Sequence, residues 1–230
     1  LPCAGRVTIA ISEPVRRHLQ DVFQIPSAQI RLIPHGIDVA SFSRPIDLAA
    51  QDQLRWSLEV PANGLVVGTV ARLVPSKGVA QLIEAFRSIK ACVPQATLVI
   101  VGDGEERSRL EALASSAGLA QATRFLGMLS QTQALLSLMD VFVFLPAVQE
   151  GFGFSLLEAM AAGKPIVSIR RGGGASWVLE DSQVGVLVEP HQPQQLAQAM
   201  ARVLDDPSYA RQLAAHAREV VTARYDASRM

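Results

Sequence analysis

Residues 150–167 read EGFGFSLLEAMAAGKPIV, and their pattern is the strongest indication of the fold in the sequence. It follows the apolar run Val141–Leu145 and extends into a second, Pro165–Ile169, and both runs are typical of parallel strands buried on both faces. Ser155–Ala162 is the predicted helix that connects them. A glycine loop bracketed by two carboxylates therefore follows the carboxyl end of a predicted parallel strand, where open α/β sheets bind ligands.

The same alternation of apolar runs and amphipathic segments extends along the chain. It predicts an α/β fold, a Rossmann-like doubly wound parallel sheet, built as a single domain over residues 1–230. Residues 41–63 are more polar and predict a connection with one short helix. The predicted strands are Val7–Ile11, Ile30–Ile33, Leu65–Val70, Thr97–Val101, Thr123–Leu126, Val141–Leu145, Pro165–Ile169 and Gly185–Val188. The predicted helices are Glu13–Phe23, Gln51–Leu58, Lys77–Ala91, Glu105–Ala117, Gln131–Met139, Ser155–Ala162, Pro193–Leu204 and Pro207–Arg224.

The composition narrows the classes of function. The 230 residues carry 21 Lys and Arg against 21 Asp and Glu, which argues against a nucleic-acid groove or a polybasic membrane patch. No apolar run reaches the roughly 18 residues of a membrane-spanning helix. The two cysteines lack metal-site spacing, so we expect a reducing, cytoplasmic compartment. Because the chain starts at Leu1 and enters a predicted strand almost at once, we expect that it was cut from something longer.

The glycine loop combines an expected anion site with two carboxylates. Glycines let a ligand approach the backbone, and the N-terminus of the following helix offers unpaired N–H groups to an anion. Glu150 and Glu158 would repel an anion, so we expect them to bind neutral hydroxyls. A ligand that carries a phosphate with hydroxyl groups on both sides of it would fit such a site, and a nucleotide-sugar is a ligand of this kind. Two alternatives stay open: Ser155 and Glu158 also match a capping box, and Glu150 also fits a solvated loop carboxylate.

Two cations follow the predicted strand Leu65–Val70. Arg72 comes just after the strand, and Lys77 lies at the start of the next predicted helix. A cation at a helix N-terminus opposes the helix dipole unless an anion is shared there. The pair could converge on a diphosphate, with Arg72 as a planar fork and Lys77 as a point charge. The alternative is two solvated surface cations.

Three further glycine turns follow predicted strands. Gly102 and Gly104 begin a dinucleotide-type fingerprint that lacks its third glycine, and a tight turn with Asp103 capping the next helix explains it equally well. Gly36 would permit backbone approach to a ligand, or form a plain turn. Residues 170–174 could line the same cleft, or form a flexible exposed loop.

Several other chemistries lack their motif in the sequence. There is no Asp-x-Asp pair to hold a divalent metal through a diphosphate, and no His-Glu-x-x-His. Ser155 does not lie in a Gly-x-Ser-x-Gly elbow, and the four histidines are scattered.

The motifs together resemble those of the retaining "group 1" glycosyltransferases of the GT-B fold. Glu150 and Glu158 resemble the E-x7-E signature of that family, and Arg72 and Lys77 its diphosphate-binding pair. Residues 34–38 resemble its Asn-Gly-x-Asp turn, and residues 101–104 its Gly-x-Gly turn. The resemblance covers residues 6–224, and the motifs occur in the family order.

The resemblance implies two Rossmann-like domains facing a cleft, of which this chain would be the C-terminal, donor-binding one without the N-terminal acceptor domain. Glu158 would hold ribose hydroxyls and Glu150 donor-sugar hydroxyls, while the base would lie along residues 127–129. No metal or other cofactor is expected. The implied catalytic residues are Glu150, Arg72 and Lys77, and the implied substrate-binding residues are Glu158, Gly151, Phe152, Gly153, Phe154, Ser155, Gly36, Gly102, Gly104, Met128 and Leu129.

Two departures from the family pattern concern the site. His35 stands where the family has Asn, and Ser176-Trp177 stands where it usually has Pro-Glu.

The predicted function is transfer of a sugar from a nucleotide diphosphate donor to an acceptor hydroxyl with retention of configuration. We expect the 230-residue chain alone to bind the donor without transferring the sugar. The acceptor would be a sugar, lipid or polysaccharide reached through the missing half, with no nucleic-acid partner, and the longer protein could touch the inner membrane face. Three alternatives are a sugar-nucleotide epimerase or phosphorylase relative, a non-catalytic binding domain of the same fold, and an NAD-dependent oxidoreductase, which the missing third glycine disfavours.

Overall fold

The computed structural model describes residues 5–146, 150–171 and 173–229. The strands are β1 Thr8–Ala10, β2 Ile30–Leu32, β3 Val66–Val70, β4 Thr97–Val101, β5 Thr123–Phe125, β6 Val141–Phe144, β7 Ile166–Ile169 and β8 Val186–Val188. The helices are α1 Glu13–Asp21, α2 Val39–Ser43, α3 Leu48–Ser57, α4 Val79–Cys92, α5 Arg107–Ser116, α6 Gln133–Leu138, α7 Phe154–Ala161, α8 Gly173–Ser182, α9 Pro193–Asp205 and α10 Pro207–Arg224.

Six strands form one parallel sheet in the order β5-β4-β3-β6-β7-β8. The chain builds outward from β3 to β5 and then returns to build outward from β6 to β8. The order therefore reverses between β3 and β6, and the loops that leave their carboxyl ends diverge to opposite faces. Such a switch point opens a crevice at the sheet edge, which is where ligands bind in this class of fold.

The core explains why the strands are apolar throughout. Side chains alternate between the two faces of a strand, and on β6 both faces are covered. Phe142 and Phe144 belong to one buried cluster, while Val141 and Val143 belong to the other. Both clusters pack helices against the sheet, so the predicted doubly wound α/β fold is confirmed.

The first two strands do not join this sheet. β1 and β2 form a separate parallel pair, so the expectation of one continuous sheet was wrong. Helix α1 packs against one face of the pair. The other face leaves Val7, Ile9 and Ile33 exposed at 54%, 58% and 46%.

Two helices were missed in the sequence. Residues 39–43 form α2, where the carboxylate of Asp38 accepts the Ser41 N–H at 3.1 Å. Residues 173–182 form α8, where the glycines had indicated an exposed loop. In contrast, the bounds predicted for α10 are confirmed, and Asp206 caps that helix through the N–H groups of Ser208 and Tyr209.

Candidate functional site

A cavity of about 190 Å³ opens at the switch point of the sheet. It contains six of the predicted site residues, together with the ends of β3 and β6 as its floor. The lining residues are Thr69, Val70, Ala71, Arg72, Lys77, Phe144, Leu145, Glu150, Gly153, Phe154 and Ser155. The fold therefore brings together two cations, a carboxylate and a helix N-terminus from segments that lie up to 83 residues apart, from residue 72 to residue 155.

The segment that carries the cations is held on both sides. Leu73 is fully buried, and its N–H donates to the Asp103 carbonyl at 2.9 Å. Lys77 lies in a short 3-10 turn rather than at the start of a helix, and α4 begins two residues later. Gly78 makes this possible because its φ of 62° is a left-handed conformation that glycine adopts without strain.

The Gly102 and Gly104 turn packs directly against that segment. A Cβ on Gly102 would lie 1.8 Å from the Ala71 carbonyl oxygen, and one on Gly104 would lie 2.4 Å from that of Leu73. These glycines therefore allow the close approach that fixes the backbone on either side of Arg72. Asp103 does not cap the following helix as expected, because its carboxylate accepts the Gly104 N–H at 2.8 Å.

Inside the cavity, Lys77 and Glu150 form an ion pair in which Lys77 Nζ donates to Glu150 Oε2. The two side chains are only 16% and 17% exposed, so the reading of Glu150 as a solvated loop carboxylate was wrong. Arg72 is exposed, and its guanidinium has no ion-pair or hydrogen-bond partner in the part of the chain that the structure describes. It is therefore available to an anion that enters from solvent.

The backbone of Glu150 is fixed by the start of α8. The Gly174 N–H donates to the Glu150 carbonyl at 2.8 Å. A Cβ on Gly174 would lie 1.8 Å from the Gly151 carbonyl oxygen, so only glycine fits there. Ser176, one of the two departures from the family pattern, is buried and accepts the Arg171 N–H at 3.3 Å. In the described part, residues 173–174 therefore support the site from behind and do not form an exposed loop, while residue 172 lies outside the described residues.

Helix α7 begins at Phe154, directly after Gly153, whose φ of 101° is left-handed, and no side chain caps the N-terminus of this helix. The alternative interpretation of Ser155 and Glu158 as a capping box was therefore wrong. The first N–H groups of a helix have no carbonyl partner within that helix, and here they lie at the cavity wall. Phe154 is 49% exposed beside them, whereas the Phe152 side chain is in the core.

Glu158 lies one turn further into α7, outside the cavity lining. Its carboxylate accepts a hydrogen bond at 3.3 Å from the hydroxyl of Thr132, just before α6. Burial raises the pKa of Glu158 above its ordinary value, and the Thr132 hydrogen bond acts in the opposite direction. The sequence analysis missed Thr132, and its only signal was a hydroxyl residue next to a helix start.

The remaining predicted residues lie around the cavity without lining it. The turn at Gly36 reaches the glycine loop through His35, whose ring is 4.9 Å from that of Phe154 and 5.5 Å from that of Phe152. At the end of β5, Gly127 pairs with Gly102, and the next two side chains, Met128 and Leu129, are exposed at 82% and 40%.

Among the described residues, no group of three or more His, Cys, Asp or Glu side chains could hold a metal ion. Metal independence stays an expectation. None of the described helices is long and apolar enough to cross a membrane.

Comparison with known proteins now defines the class. The family described as "Glycosyl transferases group 1" matches residues 50–220, and the chain belongs to this family. The lipopolysaccharide core biosynthesis glycosyltransferase LpsE of Rhizobium meliloti is 34% identical over 171 residues, 74% of this chain and 48% of the relative. A GDP-mannose-dependent alpha-(1-6)-phosphatidylinositol monomannoside mannosyltransferase of Mycobacterium tuberculosis is 35% identical over 208 residues, 87% of this chain and 53% of the relative. The chain thus spans about half the length of these curated relatives.

Solved structures agree with this assignment. Anabaena HepE in complex with UDP and glucose superposes with a TM-score of 0.86 at 28% identity, over 96% of this chain and 60% of HepE. The C-terminal domain of the group 1 protein LpcC of Francisella tularensis has a TM-score of 0.70 at 25% identity, over 84% of this chain and all of that domain. The fold is therefore that of the GT-B glycosyltransferases, as the resemblance had implied.

Proposed function

We propose that this chain is the donor-binding half of a retaining glycosyltransferase, which binds a nucleotide diphosphate sugar at the switch point of its sheet. The observation that carries the proposal is the meeting of Arg72, Lys77, Glu150 and the α7 N-terminus in one cavity. Support comes from a relative described as GDP-mannose-dependent and from a structural neighbour in complex with UDP-glucose.

The residues of the cavity suit the stabilisation of a departing diphosphate. Transfer of the sugar leaves a diphosphate with growing negative charge, and preorganised cations and N–H donors stabilise that charge in the transition state. Arg72, Lys77 and the first N–H groups of α7 supply those donors. Carboxylates accept hydrogen bonds from hydroxyls, which suits Glu150 to the donor sugar and Glu158 to the ribose.

The acceptor half is proposed to lie outside this chain. A two-stranded sheet is marginal alone, and the β1-β2 pair exposes Val7, Ile9 and Ile33 on its open face. We propose that this pair, with α1, is the edge of a second sheet contributed by the rest of a longer protein. The 230-residue chain would then bind donor without transferring sugar.

Calorimetry with UDP, GDP and ADP tests the proposal on the 230-residue chain. We expect one nucleotide to bind, and Lys77→Ala to weaken that binding at least about tenfold, since a charged hydrogen-bond donor to phosphate is lost. Arg87→Ala is the matched control, because it removes a cation from the exposed face of the adjacent helix α4. Absence of binding by these three nucleotides and by UDP-glucose and GDP-mannose, or equal effects of both variants, would refute the donor site.

Retention is tested separately on a longer protein that includes the acceptor half. The anomeric configuration of the product, measured by NMR during the reaction, is expected to match that of the donor sugar. An inverted product would refute the retaining mechanism while leaving the donor site in place.

A further inference from the structure

The cavity contains an ion pair formed by two of its own lining residues. The Lys77 ammonium is paired with the Glu150 carboxylate, and both side chains are less than one fifth exposed. Arg72 is the other cation of the lining and has no partner among the described residues. An entering diphosphate therefore meets one available cation and one cation that a carboxylate already neutralises.

Glu150 has little freedom to leave. Its carbonyl is held by the Gly174 N–H at 2.8 Å, and the adjacent Gly151 carbonyl packs where a Gly174 Cβ would be. With the backbone fixed on that side, a diphosphate that takes Lys77 leaves the Glu150 carboxylate in the same cavity. An unpaired carboxylate beside an anion, mostly shielded from water, is costly because like charges repel strongly where solvent screening is weak.

We propose that Glu150, through its competition with phosphate for Lys77, makes the site discriminate the sugar-bearing donor from the bare nucleoside diphosphate. The inference rests on the proposed function. A sugar bonded to the diphosphate brings hydroxyl groups, and a hydroxyl can donate a hydrogen bond to the displaced carboxylate. A nucleoside diphosphate brings no such donor on that side, so it bears the full cost of separating Glu150 from Lys77.

The same competition gives a route for product release. Once the sugar has moved to its acceptor, the hydroxyls that satisfied Glu150 leave with it. The carboxylate then regains Lys77 and displaces the diphosphate. Glu150 is in this way a specificity-determining residue that favours the substrate over the product at one shared site.

The test compares nucleoside diphosphate and nucleotide-sugar binding in Glu150→Gln, measured by calorimetry on the 230-residue chain. The probes are UDP with UDP-glucose and GDP with GDP-mannose. We expect the variant to bind the nucleoside diphosphate about tenfold more tightly than wild type, because Lys77 no longer has an anionic competitor. The ratio of nucleotide-sugar to nucleoside diphosphate affinity is expected to fall by at least the same factor.

Two variants separate this effect from simpler ones. Glu219→Gln removes the same charge from the exposed face of α10 and is expected to leave both affinities unchanged. Glu150→Ala removes the side chain altogether and is expected to tighten nucleoside diphosphate binding as well. Thermal unfolding of each variant confirms that the affinities belong to folded protein.

The possible results distinguish the two proposals. If wild type binds a nucleotide, Lys77→Ala weakens it, and neither Glu150 variant binds nucleoside diphosphate more tightly, the inference is overturned and the donor site stands. If neither wild type nor the Glu150 variants bind any of the four probes, both are overturned. Nucleotide-sugar binding by wild type, with nucleoside diphosphate binding detected only after Glu150 is replaced, supports both.

Discussion

Glu150 and Glu158 belong to the same loop-and-helix segment, but their surroundings differ in the charge of the partner. Glu150 shares its proton-donating partner, the Lys77 ammonium, with whatever anion enters the cavity. Glu158 has a neutral partner, the Thr132 hydroxyl, and burial raises its pKa. One carboxylate thus competes with an entering anion for a cation, whereas the other is buried and has no cation partner among the described residues. A pair that looks symmetrical in sequence is suited to two different tasks.

The test with the largest expected effect removes Lys77, the cation that pairs with Glu150 and not with Glu158. In a longer, active protein, Lys77→Ala is expected to reduce turnover at least about a hundredfold, because one preorganised donor to the departing diphosphate is lost. Steady-state kinetics with the donor in excess measures the effect. Arg87→Ala is again the control, and turnover within a fewfold of wild type in Lys77→Ala would remove the basis for the contrast.

The next test changes the other carboxylate. Glu158→Gln is expected to weaken nucleotide binding about tenfold, since a charged hydrogen-bond acceptor becomes a neutral one. The same substitution is expected to increase the free energy of unfolding at neutral pH, although it weakens binding. The folded state of wild type holds the Glu158 proton at pH values where the unfolded chain has lost it, so this group makes the fold less stable as pH rises.

Denaturant unfolding at two pH values measures that second effect. The free energy of unfolding of Glu158→Gln relative to wild type is expected to be higher at neutral pH than at a pH below the ordinary carboxyl range. A variant that loses stability at neutral pH, relative to acid, would show that the Glu158 charge is compensated in the folded state.

A third test disturbs the contact between Gly174 and the backbone of the Glu150 loop, and leaves Glu158 unchanged. Gly174→Ala places a Cβ 1.8 Å from the Gly151 carbonyl oxygen, so the backbone must shift, at a cost of about 1–3 kcal/mol in the free energy of unfolding. Gly5→Ala is the matched control, because a Cβ there meets nothing within 4 Å. Denaturant unfolding compares the two. Equal stability of both variants would mean that the start of α8 yields freely and does not fix the Glu150 loop.

The sequence could predict those parts of the molecule that rest on local pattern. Apolar runs and amphipathic segments predicted all eight strands and eight of the ten helices that the structure describes, and the bounds of α10 are confirmed. Arg72, Lys77 and Glu150, which follow the predicted strands, lie in one cavity at the edge of the sheet. Contacts between side chains that are distant in the sequence could not be predicted from it. The pairing of Lys77 with Glu150 and the hydrogen bond between Thr132 and Glu158 depend on how distant segments pack.

The wrong predictions have the same origin. A capping box was one interpretation because Ser155 and Glu158 have the right spacing, but the helix begins at Phe154 after a left-handed Gly153, and the Glu158 carboxylate accepts a hydrogen bond from Thr132. Likewise, the glycines at 173 and 174 allowed an exposed loop as one interpretation, yet they begin α8, and the Gly151 carbonyl packs against Gly174 too closely for a Cβ.

The smallest expected effect concerns Thr132, whose hydroxyl is the neutral partner in the contrast. Nucleotide binding that needs the charged form of Glu158 should weaken as pH falls, and it should do so at a higher pH than for an ordinary carboxyl group because burial raises this pKa. The Thr132 hydrogen bond favours the carboxylate and lowers the pKa, so Thr132→Val should move the midpoint of the loss to higher pH.

Thr132→Ser keeps a hydroxyl and should restore the wild-type midpoint. Calorimetric titration with the bound nucleotide across the acid range measures all three. A midpoint that does not move in Thr132→Val would mean that Thr132 only begins α6, and that the environment of Glu158 is set by burial alone.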